Sequence, residues 1–335
     1  MHFLKTTSVL GLALSFLLLS GLFAQSKVGT SAANFLQIGA GARGAALGDA
    51  ASTTYYDASS IYWNPALAAF SDNNQVFFNH TNWFAGISLN YGSGMLNFGS
   101  LGSFALTFYS LTTDQMEVTD ETYQDGTGAL FTVQDIMVGL TYARALTDRF
   151  NIGATIKYIN ETIWNTSATA LAIDVGLTFH TPLEPLHLAM SISNFGTEMR
   201  MDGTDLAVRY DPDPTVGGNN DGIVAYQKTK SWSLPVILRF GLAYSVIRTE
   251  NVDVHLLGDV LYPSSNNNYV NSGVEVGFNK RYYLRAGYRQ LFLDDAEGNL
   301  SMGAGVKVGS LNLDYAFSDR GVLNSVQYFS VAFNL

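Results

Sequence analysis

The sequence contains no cysteine. That excludes a disulfide scaffold, thiolate zinc sites, thiol nucleophiles and acylation of an N-terminal cysteine. Charge is scarce as well. The 18 basic and 28 acidic residues make up 14% of the 335, against about 25% in an ordinary soluble domain, which argues against a soluble enzyme. Positive charge is the scarcer sign. A net charge of −10 and a pI near 4.8 leave no cationic surface to displace counterions from phosphate, so nucleic acid is excluded as a partner. Neither a Gly-x-Ser-x-Gly elbow nor a His-Glu-x-x-His pair occurs. Beyond the N-terminus no apolar run is long enough for a membrane helix. Residues 73–113 hold no Asp, Glu, Lys or Arg, yet Gly86, Gly92, Gly94, Gly99 and Gly102 cut that stretch into pieces too short to span as a helix.

What is present is glycine (32 residues) and aromatics (21 Phe, 18 Tyr, 4 Trp), the composition of strands and turns rather than of a helical bundle. The N-terminus reads as an export signal. His2 and Lys5 precede the apolar run Val9 to Leu19, and Gly21-Leu22-Phe23-Ala24 places a small residue before Gln25, so residues 1–24 are expected to be a leader cleaved after Ala24.

From residue 75 onward, segments of 8 to 15 residues alternate apolar and polar side chains, the period-two signal of strands. Val236, Leu238, Phe240, Leu242, Tyr244 and Val246 form one oily face, interleaved with Ile237, Arg239, Gly241, Ala243 and Ser245. Two folds give such alternation: a soluble sandwich with the oily face inward and a membrane barrel with it outward. Length favours the barrel, since strands tilted across a bilayer need about 9–11 residues whereas soluble strands average about 5–6. Tyr142, Phe179, Tyr262, Tyr282, Phe292 and Phe317 near segment ends suit interfacial girdles.

The expected fold is therefore all-β, a transmembrane antiparallel barrel of about 14 strands over residues 75–335. The strands fall near 75–82, 84–93, 103–112, 133–146, 149–163, 166–180, 186–196, 233–248, 252–262, 269–279, 281–292, 299–309, 311–318 and 324–335. Long connections at 113–132, 197–232 and 263–268 alternate with short ones at 147–148, 249–251, 280 and 310. Short turns face the periplasm in such barrels, which predicts an outer-membrane protein with both chain ends in the periplasm. The loop 203–230, with Asp211-Pro212-Asp213-Pro214 and Gly217-Gly218-Asn219-Asn220-Asp221-Gly222, reads as polar binding surface or disorder.

Residues 25–74 do not alternate and read as a compact hatch or plug. Gly39-Ala40-Gly41-Ala42-Arg43-Gly44 matches the dinucleotide fingerprint as letters, but the buried strand and βαβ unit that motif needs are not visible. Asp57 can cap a short helix through Ser59 to Tyr62, and Pro65 would halt it.

The letters of this segment resemble a known signature. Phe35 through Gly44, Leu47-Gly48-Asp49-Ala50, Asp57-Ala58-Ser59 and Tyr62-Trp63-Asn64-Pro65-Ala66 are similar to the N-terminal signature of the PorV/PorQ family of outer-membrane proteins. The similarity continues through His80-Thr81-Asn82-Trp83-Phe84, Leu140 to Arg144, Ile156-Lys157-Tyr158, Arg239 to Tyr244, Leu284 to Arg289 and Leu313 to Ala316. Leu67-Ala68-Ala69 stands where the family usually has a glycine, and the chain ends in Leu335 rather than an aromatic. The resemblance implies the FadL-type fold of fourteen strands with an N-terminal hatch. Its signature maps here to Gly39, Gly41, Arg43, Gly48, Asp57, Trp63, Asn64, Pro65 and Ala66.

Strand parity points Asp135, Lys157, Asp174, Arg239, Asp253, His255, Asp259, Glu275, Arg285, Arg289, Lys307 and Asp314 inward. Asp253 and Asp259 with His255 between them share one face and raise the question of acid–base or metal chemistry, but interlocked opposite charges routinely fill barrel lumens. The expectation is a lumen charge network in which Arg239, Arg285 and Arg289 pair with carboxylates, with no catalytic residue, metal or cofactor. The resemblance implies a component of type IX secretion that associates with outer-membrane lipid, the translocon and cargo bearing a C-terminal sorting domain. The alternative is a FadL-like channel for long-chain fatty acids or other hydrophobic small molecules.

Overall fold

Alternating side chains sort themselves here by polarity, with the largest apolar ones outward. In a computed structural model describing residues 29–335, apart from Tyr55, Asp72, Pro214, Val216, 218–221, Asp294, Asp295 and Glu297, Ile156, Leu171 and Leu284 are more than half exposed, while the neighbouring Lys157, Ala172 and Arg285 are buried. Such a pattern is stable only where the outer solvent is hydrocarbon. The expected leader lies outside the described residues.

Fourteen antiparallel strands carry this pattern: β1 (Gln75–Asn82), β2 (Ser88–Asn97), β3 (Ser103–Thr112), β4 (Val133–Thr147), β5 (Phe150–Ile163), β6 (Thr166–His180) and β7 (Leu186–Gly196), followed by β8 (Ile237–Arg248), β9 (Val252–Pro263), β10 (Tyr269–Phe278), β11 (Tyr282–Leu291), β12 (Leu300–Val308), β13 (Leu311–Asp319) and β14 (Ser325–Asn334). Each pairs with its sequence neighbours, and β1 pairs with β14 from Gln75↔Asn334 to Asn82↔Gln327, which closes the sheet and leaves no edge among these strands. Registers are fixed because a one-residue slip would turn every lysine and arginine of the lumen toward lipid. No helix among the described residues is long and apolar enough to cross a membrane.

Three expectations need correction. β2 begins at Ser88, not near 84, because Ala85 and Gly86 take left-handed conformations and Trp83 and Ile87 close a tight turn through the Trp83 amide. The loop 203–230 is not wholly irregular. Ala207–Tyr210 pairs with Ile223–Tyr226 in a hairpin whose Tyr210, Ile223, Val224 and Tyr226 are exposed. The two ends of the described chain also lie at opposite ends of the barrel. The Ala32 amide bonds the Ser233 carbonyl and the Ala33 amide bonds Glu161 at the long-loop end, whereas the Leu335 amide bonds Asn74 at the short-turn end. They therefore cannot both face the periplasm.

Between those ends, residues 29–74 run down the lumen. The path includes one turn of 3-10 helix (Asn34–Gln37), α1 (Ala42–Ala46), α2 (Ser60–Trp63) and a second 3-10 segment (Pro65–Phe70). α1 packs on β11 to β14, and Pro65–Phe70 packs on β3 to β6. Tyr62 joins Tyr91 and Tyr109 in edge-on ring contacts, and this aromatic cluster, with Phe35, Phe77, Leu89 and Met95, fills the β1–β4 side of the lumen. The opposite side, β9 to β13, is charged.

Candidate functional site between hatch and barrel wall

Residues 29–74, the segment that the sequence suggests is a hatch and that keeps that label below, are seated by the smallest side chains of the wall. A methyl group at Gly153 or Gly176 would strike Pro65 or Asn64, at Gly241 the hydroxyls of Ser52 and Thr53, at Gly273 and Gly287 the backbone of Leu47 and Gly48, and at Gly303 the side chain of Ala46. Glycine at alternate inward positions thus lets the two backbones approach. Gly48 itself has φ of 65° and lies against the backbone of Tyr288, so a side chain there is excluded on both counts.

Within the hatch the same logic explains the fingerprint-like glycines. Cβ atoms on Gly39 and Gly44 would collide with the Trp63 indole. These glycines serve an aromatic ring rather than a pyrophosphate. Trp63 is buried, and its carbonyl accepts from Ser191 Oγ on β7 at 3.1 Å. Asn64 is wholly buried. Its Nδ2 donates to the carbonyls of Ser52 (3.1 Å) and Leu177 (3.2 Å), and its Oδ1 accepts from the Ala66 amide (3.0 Å), capping Pro65–Phe70. One side chain therefore ties two parts of the hatch to β6. Pro65 does halt α2, but as the first residue of the next 3-10 segment, where its missing N–H costs nothing. Asp57 accepts from the amide and hydroxyl of Ser59 ahead of α2. Burial raises its carboxyl above the usual range, and the two Ser59 hydrogen bonds oppose the shift.

Wall charges fall into five separate groups. On β5 and β6, Lys157 lies 2.6 Å from Asp174 and donates to Asn194, whose amide nitrogens bond Asp174 and the Pro235 carbonyl. At the short-turn end Glu275 receives both Arg43 (2.5 Å) and Arg285 (2.6 Å), and Arg285 reaches Asp314 (2.5 Å). The Arg43 guanidinium lies over the Tyr56 ring. Asp259 accepts from the amide and hydroxyl of Ser52. Arg289 approaches Asp49 at 3.7 Å and donates to the carbonyls of Gly298 and Asp319. Asp135 pairs in register with Glu161 near the long-loop end.

One expected pairing does not occur, and three carboxylate and imidazole groups that share one strand face stay apart. Arg239 is buried but donates to Ser193 (2.9 Å), and no carboxylate lies within ion-pair distance among the described residues. Asp253, His255 and Asp259 do not converge. Asp253 and His255 line a cavity with Lys307, whereas Asp259 sits roughly 20 Å further along the strand, at about 3.3 Å per residue. Sequence reading missed Asp49, Ser52 and Tyr56 of the hatch, because nothing in a non-periodic segment signals which wall residue it will meet. The inward wall glycines were visible as small residues, and their shared role as a seat appears only when the hatch is in place.

Residues 23–176 match the family model described as type IX secretion system protein PorV. This stretch is PorV-like. It holds the whole described hatch and the wall strands through most of β6, so the Asn64–Leu177 tie lies at the border of the match. No curated protein matches the chain. Among solved structures, the Pseudomonas putida toluene transporter TodX aligns with a TM-score of 0.53 at 14% identity, covering 88% of this chain and 96% of that one. The Ralstonia pickettii toluene transporter TbuX gives 0.55 at 10% identity, with 88% and 97% covered. A Pseudomonas aeruginosa FadL homologue gives 0.51 at 13% identity, with 87% and 97% covered. At such identities the likeness shows the fold alone, a closed antiparallel barrel of the kind described above.

Proposed function

We propose that this PorV-like barrel is a type IX secretion component that associates with the translocon and passes sorting-domain cargo toward surface attachment. The observation that carries the reading is the PorV family match over residues 23–176. The surface at the long-loop end supports it. Met116, Tyr123, Leu130, Trp164, Tyr210, Val224 and Tyr226 are exposed there, and apolar and aromatic side chains on loops are the usual anchors of protein partners. In this reading the long loops face outward and the short turns the periplasm. Genomes carrying this chain should also encode sorting-domain proteins. Shortening 203–230 should leave a folded barrel, judged by heat-modifiable gel migration, and abolish capture of the translocon in a pull-down. Asn64→Ala should change barrel stability more than capture.

The second reading, a channel for hydrophobic small molecules, draws on a cavity of about 330 Å³ at the long-loop mouth, where Ala32, Ala168, Met199, Met201 and Trp232 meet Glu161 and Lys230. Unimpaired capture by the shortened protein, together with loss of long-chain lipid uptake in Asn64→Ala, would replace the first reading with this one.

A further inference from the structure

At the short-turn end a cavity of about 250 Å³ opens between the hatch and β9 to β13, bounded by Arg43, Tyr56, Asp253, Glu275, Arg285 and Asp314. Four polar atoms of its lining residues have no partner: Nη2 of Arg285, Nε of Arg43, the hydroxyl of Tyr56 and Oδ1 of Asn312. The Arg285 side chain is 1% exposed. Two of its nitrogens are taken by Glu275 and Asp314, which leaves Nη2 as a buried donor in want of an acceptor. Three of the four, on Arg285, Arg43 and Tyr56, can donate, and a carboxylate, which only accepts, complements those three.

Charge points the same way. Arg43 and Arg285 balance Glu275 and Asp314 in the inner ring. The cavity continues into an outer chamber lined by Arg248, Lys280 and Lys307, with Asp253 as its one carboxylate. In a chain of net charge −10, this is a local cationic mouth that draws anions inward. The inner volume lies below the roughly 300–1,000 Å³ of pockets that enclose a whole drug-sized ligand, so it suits an end group.

We propose that this vestibule binds a carboxylate end group entering from the short-turn end, with Arg285, Arg43 and Tyr56 as its donors and Lys307 at its rim. The site is independent of the secretion reading. A free small acid and the C-terminus of an extended peptide present the same chemistry, and the test separates them. Detergent-solubilised full-length protein is titrated calorimetrically with hexanoate, with hexanamide, and with an apolar hexapeptide bearing a free or an amidated C-terminus. The expected result is saturable binding of a carboxylate form and none of its amide, and the tighter of hexanoate and free peptide names the source. Lys307→Gln and Arg285→Lys should each weaken that binding about tenfold, with heat-modifiable migration of Lys307→Gln unchanged and Lys228→Gln without effect. The proposal is overturned if neither carboxylate binds, if the amides bind equally well, or if Lys307→Gln binds as the parent does.

Discussion

Arg285 and Arg239 are both buried arginines of the same wall, yet their surroundings assign them different costs of removal. Arg285 holds two carboxylates, and Asp314 has no other ion-pair partner among the described residues. Arg239 holds a serine hydroxyl and faces the Trp63 ring at 5.9 Å. Removing one member of a buried pair strands the other charge at roughly 3–5 kcal/mol, whereas removing Arg239 strands none. Arg285→Ala should therefore lower the urea midpoint of folded-barrel gel migration well below that of Arg239→Ala. Equal midpoints would mean that water reaches Asp314. Which residues point inward was readable from strand parity alone. The pairing was not, because the hatch supplies Arg43, Asp49 and Ser52 to partners that lie 207 to 240 positions further along the chain, and alternation carries no information about height in the lumen.

At the level of elements, the strands were legible because each repeats one binary choice many times. Where the choice is inverted, legibility falls. β1 and β2 turn Phe77, Leu89, Tyr91 and Met95 inward and leave His80, Asn90 and Asn82, joined by hydrogen bonds, on the outer face. The misplaced start of β2 falls in the same region, where Phe84 to Ile87 read as strand but form a turn. The hatch has no period to read, and its seat rests on single atoms. Gly176→Ala places a methyl group on the Asn64 amide, while Gly94 has open space beyond its Cβ position. Gly176→Ala should thus lower the temperature at which the barrel loses its compact gel form, and Gly94→Ala, at an open site, should leave it nearly unchanged. Matching losses would show that the hatch does not bear on β6.

At the scale of the molecule, the hatch traverses the lumen from one mouth to the other, and the absence of cysteine makes that path directly testable. Ser31→Cys should react with a membrane-impermeant maleimide added to intact cells, and Leu335→Cys should react only after the outer membrane is opened. Labelling of both from outside, or of neither, would contradict the path or the orientation. The closing seam has a separate consequence. Since β14 lies beside β1 and the Leu335 amide already bonds Asn74, the wall is a ring whose first and last strands are neighbours. The order of synthesis is therefore an accident of where that ring is cut. A circularly permuted chain, with Leu335 spliced to Asn74 as a two-residue turn and new ends opened in the 113–132 loop, would keep every pairing of the wall and release residues 25–73 as a separate peptide. Plug and ring would become two components, and the strength with which one holds the other would become an ordinary dissociation constant.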